Sequence, residues 1–171
     1  MSNERGAGPA AWFTCLGLPL TAAESEDLAL YMRGIGLAAN TPVEHVESWP
    51  AATAILKHPK WDASWWEAEE QARARLFTQV GDSDRVLKRL TEATDQVTEI
   101  LHGTAAIAAA RESIGDPYVI RVASGAALQA VHQAALAEQA GETTHAFAYK
   151  LSLYRSGHWV LGMVGGTLFL F

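Results

Sequence analysis

Cysteine is almost missing from this chain. Cys15 is the only one among 171 residues, so no intrachain disulfide can form and the chain suits a reducing compartment. Basic residues are also sparse: thirteen Lys and Arg stand against nineteen Asp and Glu, for a net charge of -6. Binding to phosphate backbones relies on clustered positive charge, so nucleic acid is not an expected partner. No apolar run approaches the ~20 residues that cross a bilayer, so no membrane partner is expected. The opening MSNERGAGPAAWFTCLGLPL carries an early acidic residue, and Pro9, Gly17 and Pro19 interrupt its apolar stretch, unlike a secretory leader. Gly-x-Ser-x-Gly, Walker and Gly-x-Gly-x-x-Gly motifs are lacking, and no cofactor is expected. The expectation is a soluble, cytoplasmic protein.

What is present is core-forming material. A hydrophobic fraction of 49% with 19% charged residues is that of an ordinary globular chain, and 171 residues fit one domain. A domain of this length buries roughly two-thirds of its unfolded surface, so it needs no metal or disulfide staple.

Residues 1–11, rich in Gly, Pro and Ala, are expected to pack loosely. Thr21 and Glu24 form a capping box for a helix to about Ile35, with Leu28, Tyr31, Met32 and Ile35 inward. Asn40-Thr41-Pro42 and Ser48-Trp49-Pro50 resemble helix starts, which predicts short helices at 42–47 and 50–57. Asp62 or Ser64 caps a helix over 64–80, with Trp65, Ala68, Ala72 and Leu76 inward and a Glu69–Arg73 pair on a solvated face. Gly81 and Asp82 break the chain. Val86, Leu90, Ala93, Val97 and Ile100 then make a helical stripe suited to a neighbouring helix or to another copy of itself. Gly103 is expected to interrupt it, with a second helix from Ala105 to Ile114.

The alternation of Tyr118-Val-Ile-Arg-Val122 predicts a strand, followed by a helix over 125–139 capped by Ser124. Residues 144–171 read as three consecutive strands, with turns at Ser156-Gly157 and Gly165-Gly166. Pairing across the second turn sets Val164 opposite Thr167, Gly162 opposite Phe169 and Val160 opposite Phe171. The other face then carries Trp159, Leu161, Met163, Leu168 and Leu170. Both faces are apolar, so both need cover, from this chain's helices or from a second subunit. The fold class is α+β: a helical half over residues 1–115, then over 116–171 a strand, a helix and a three-stranded antiparallel meander, in a single domain.

Candidate chemistry is thin. Glu99-Ile-Leu-His102 has a spacing that places two metal ligands on one helical face, and Glu142-Thr-Thr-His145 repeats it, with Glu67 and Glu70 as further carboxylates. The second copy follows Gly141 in a turn, which argues for chance matches and against a metal site. Glu44, His45 and Glu47 read as a solvated polar element, and His58, His132 and His158 as loop, boundary and turn residues. Val122-Ala-Ser-Gly125 reads as a plain helix cap rather than a phosphate loop, and Cys15 as a small buried group. Three tryptophans in the six residues from Trp61 to Trp66 cannot all point the same way, so at least one lies near the surface.

Two functions from different classes fit this inventory. The preferred one is a non-catalytic interaction or accessory protein of adaptor, inhibitor or immunity type. It would be homo-oligomeric or partner-bound through Trp61, Trp65, Trp66, Trp159, Leu161, Leu168 and Leu170. The other is a ligand-binding protein or enzyme with a pocket between helices and sheet, of which a metal-dependent version would use Glu99 and His102.

Overall fold

The computed structural model describes residues 11–81 and 83–171. The expected loose packing of residues 1–10 and the break at Asp82 lie outside the described residues. The fold is α+β, with six helices and a four-stranded mixed sheet among the described residues.

Helix α1 (Ala22–Gly34) starts on the expected capping box. The Glu24 N–H donates to the Thr21 hydroxyl and the Thr21 N–H donates to the Glu24 carboxylate at 2.7 Å. Gly34 lets α1 close on a later helix, since a Cβ there would lie 2.6 Å from the Ala146 side chain. Helix α2 (Trp49–Leu56) uses Ser48 as its cap and Pro50 in its first turn. Helix α3 (Ser64–Gln79) buries Trp65, Ala72 and Leu76 as the stripe requires.

Several elements depart from expectation. Residues 42–47 form strand β1 (Val43–His45) instead of a helix. The Pro42 carbonyl and the Val46 N–H bond Leu168 and Leu170, so this segment supplies a second partner to a strand that would otherwise be an edge. Strand β2 (Trp61–Asp62) pairs at the other side of the sheet. Helix α4 (Ser83–Arg111) runs through Gly103 without a break. One mid-helix glycine costs about 1 kcal/mol relative to alanine, too little to stop a long amphipathic helix.

The stretch 118–122 is no strand. It is the beginning of helix α5 (Pro117–Gln139), capped by Asp116, whose carboxylate accepts from the Tyr118 N–H. Val119, Ala123, Ala127 and Ala130 recur at helical spacing and are buried against α4. Ser124 sits inside the helix, where its hydroxyl donates to the Ile120 carbonyl. The first expected meander strand is helix α6 (Ala146–Arg155), capped by the His145 ring, with Phe147, Lys150, Leu153 and Tyr154 buried.

The closing hairpin stands. Strands β3 (Val160–Val164) and β4 (Thr167–Leu170) turn at Gly165-Gly166, with Val164 opposite Thr167 and Gly162 opposite Phe169. An irregularity between Val160 and Gly162 shifts the next pair, so Val160 faces Leu170 rather than Phe171. It also re-sorts the faces. Trp159, Leu161, Phe169 and Phe171 pack with α2, α4 and α5, while Val160, Met163, Leu168 and Leu170 pack with α1 and α3. The strand order is β1-β4-β3-β2, with β1 parallel to β4 and the other neighbours antiparallel. Among the described residues no helix is long and apolar enough to cross a membrane.

Candidate interaction site

Four helices meet at one buried carboxylate. Glu69 is fully buried on α3, where the spacing 65, 69, 72, 76 continues the inward stripe. Both its oxygens accept from the Lys150 ammonium of α6, at 2.7 and 2.8 Å. The Tyr31 hydroxyl of α1 donates to it at 2.6 Å and the Gln133 amide of α5 at 3.1 Å. Lys150 gives a further bond to the Gln133 amide oxygen at 3.0 Å, so each ammonium proton has an acceptor. The solvated Glu69–Arg73 pair expected from sequence is therefore replaced: Arg73 bonds Glu70 at 2.8 Å and Glu69 turns inward. Burial pushes the Lys150 ammonium below the usual lysine range, against the opposing pull of Glu69. Burial, and then the charge of Glu69, hold the Tyr31 hydroxyl well above 10.0.

Above this network lies a cavity of about 210 Å³ between the helices and the sheet. Trp61, Trp65, Trp66 and Trp159 line it together with Lys150 and Tyr154. The Lys150 nitrogen sits 5.8 Å from the centre of the Trp65 ring, and the Trp61 and Trp65 rings meet edge to face at 6.2 Å. Gly162 makes room for both indoles, since a Cβ there would lie 2.9 Å from the Trp61 nitrogen and 3.0 Å from that of Trp65. The Trp65 nitrogen is buried without a hydrogen-bond partner. Trp61 and Trp66 remain 37% and 43% exposed at the rim.

The other residues expected at an interaction surface are inside the molecule. Trp159, Leu161, Leu168 and Leu170 are all buried by this chain's own helices, so neither face of the hairpin is open to water. Glu99 and His102 are exposed on α4, whereas Glu142 lies in the α5–α6 turn and His145 caps α6. Among the described residues no three His, Cys, Asp or Glu side chains are grouped to hold a metal ion. Val122 to Gly125 lie within α5 and offer no free helix start. His158 precedes β3 but is buried, with Nε2 3.6 Å from the Glu24 carboxylate and Nδ1 unpartnered. Two larger grooves, of about 440 Å³ between α4, α5 and α6 and about 330 Å³ beside α1, contain no buried ionisable group.

The aromatic half of this site is visible in the sequence as the Trp61–Trp66 cluster. Lys150 was missed because its helix reads as a strand. No protein-family model, curated protein or solved structure matches the chain.

Proposed function

We propose that the chain is a non-catalytic interaction protein, an accessory chain of adaptor, inhibitor or immunity type that also self-associates. The observation that supports the reading is the half-exposed pair Trp61 and Trp66 at the mouth of an apolar cavity of about 210 Å³. Small-molecule sites occupy roughly 300–1,000 Å³, whereas a pocket for one anchoring side chain of a protein partner is smaller. Tryptophan is among the residues that dominate such interfaces. The partner is a protein rather than a nucleic acid, given a net charge of -6. The single cysteine fits a cytoplasmic setting.

The alternative, a ligand-binding protein or enzyme with its pocket between helices and sheet, draws on Lys150 in the cavity wall, since shifted ionisable groups cluster at functional sites. Against it, all three ammonium protons of Lys150 already bond Glu69 and Gln133, which leaves no free charge for a ligand. The test is affinity capture from cell extract with the wild-type chain and with the Trp61→Ala/Trp66→Ala double variant. A partner held by the wild type should bind the variant at least ~30-fold more weakly, as loss of about 2 kcal/mol at a hot spot requires. Equal recovery by both chains overturns the reading.

A further inference from the structure

We propose that the open edge of β1 is a docking site for an extended segment of a protein partner, one that alternates apolar and basic residues and adds a fifth strand to the sheet. Such a site deepens the reading of the chain as an interaction protein, on which it rests, and it lies at the opposite edge of the sheet from Trp61.

The order β1-β4-β3-β2 leaves β1 with one neighbour. The parallel register sets Val43 beside Leu168 and His45 beside Leu170. The Leu168 N–H donates to the Pro42 carbonyl and the Val46 N–H donates to the Leu170 carbonyl. Backbone groups along a strand bond alternately to one side and the other, so positions 42, 44 and 46 turn toward β4 while the N–H and C=O of Val43 and His45 turn outward. Among the described residues these outward groups have no hydrogen-bond partner. An edge of this kind is a template for a further strand, whose main chain supplies the affinity and whose alternate side chains supply the selectivity.

The side chains of β1 set what that strand carries. Val43 lines a groove of about 330 Å³ together with Leu28, Ala29 and Met32 of α1 and with Leu37. A partner residue opposite Val43 projects to the same face of the sheet, so an apolar side chain there enters the groove. Arg33 lines the same groove, which disfavours a basic residue on that face. Glu44 projects to the other face and is exposed, with no ion-pair partner among the described residues. The residue opposite it is therefore basic, in keeping with the net charge of -6. A second copy of the chain fits less well, because two-fold pairing of β1 with itself sets Val43 against His45 and Glu44 against Glu44, which like charges oppose.

The probes are end-capped heptapeptides of alternating valine and lysine, and of alternating valine and glutamate, titrated into the isotope-labelled full chain and followed by NMR and amide exchange. In the free chain the Val43 and His45 amides should exchange faster than those of Glu44 and Val46. The valine–lysine peptide should bind and slow exchange at Val43 and His45. The valine–glutamate peptide should bind about tenfold more weakly, as one cross-strand attraction becomes a repulsion, and Glu44→Lys should reverse the order. His45→Pro removes an N–H that the fold does not use and should abolish binding with an unchanged thermal melt. Backbone N-methylation of the peptide tests the same bonds on the wild-type chain: methylated valines should abolish antiparallel addition, and methylated lysines parallel addition. Slow exchange at Val43 and His45 in the free monomer, no binding of the valine–lysine peptide, or binding that survives both methylations overturns the proposal. A dimer in sedimentation velocity that His45→Pro dissolves makes a second copy the occupant and overturns it as well. The Trp61→Ala/Trp66→Ala chain should bind the peptide as the wild type does, so failure of the β1 edge and failure of the tryptophan site are told apart.

Discussion

Glu69 and Lys150 join α3 to α6, and through Tyr31 and Gln133 they reach α1 and α5 as well. A buried pair of this kind gains little over an apolar pair of the same shape, because desolvating both charges offsets their attraction. Removing one partner is different, since the other is left charged in a dry site. Glu69→Gln or Lys150→Met alone should each cost about 3–5 kcal/mol in urea unfolding, whereas Glu69→Leu with Lys150→Met should cost markedly less than their sum. Additive losses would show that the two side chains act independently. His158 carries a second prediction at this scale. Burial pushes its pKa below 6.5, and His45 adds to the shift, while Glu24 opposes it. The unfolded chain therefore binds the proton more tightly. The stability due to a neutral His158 is complete above about 6.5 and is lost as pH falls below that value. Urea midpoints should fall on acidification below that range, and His158→Gln should make the fall shallower. His132 and His145 are shifted in the same direction, so part of the acid limb should remain. An identical profile in the variant would remove His158 from the account.

The elements that are legible in the sequence are those whose signals are local. Thr21 with Glu24 and Ser48 with Pro50 start helices where their cap chemistry says they should, and Gly165-Gly166 turns the hairpin. Tyr118 to Val122 reads as a strand, yet five residues of alternating apolar character also fit a helical face once Val119 is continued to Ala123 and Ala127. The weightier signal lay just upstream: Asp116-Pro117 is a cap followed by a first-turn proline, and it starts a helix more decisively than β-branched residues start a strand. Residues 146–155 read as a strand for a related reason. Their apolar positions fit both periods, and in the fold Ala146, Phe147, Lys150, Leu153 and Tyr154 are buried at helical spacing behind the His145 cap. The candidate site inherits this split. Its tryptophans stand close together in sequence and could be found there, whereas Glu69, Gln133 and Lys150 are brought together by packing across 81 positions. The β3 irregularity is also invisible locally: Gly162, at φ +129°, accommodates two indoles that arrive from β2 and α3.

At the scale of the molecule, the sheet is a wall between two apolar cores. On one side Trp12, Trp49, Trp159, Leu161 and Phe171 pack with α4 and α5; on the other, Leu28, Tyr31, Met163 and Leu168 pack with α1 and α3. This double cover explains why an apolar hairpin need not be an interface and leaves Trp61 and Trp66 as the exposed members of the tryptophan cluster. Phe171 is the point at which the first core closes. Its backbone exchanges hydrogen bonds with Trp159, and its ring meets Trp49 edge to face at 5.4 Å and Trp159 at 6.4 Å. Phe171→Ala should cost about 3–5 kcal/mol through lost burial and the void left between two indoles. Water reaching Trp49 and Trp159 should shift the intrinsic fluorescence to the red. If Phe171 closes only the first core, amide exchange of α1 and α3 should rise only as far as the lower global stability demands. Selective early exchange of α1 and α3 in that variant would show that the sheet transmits damage between the cores instead of separating them.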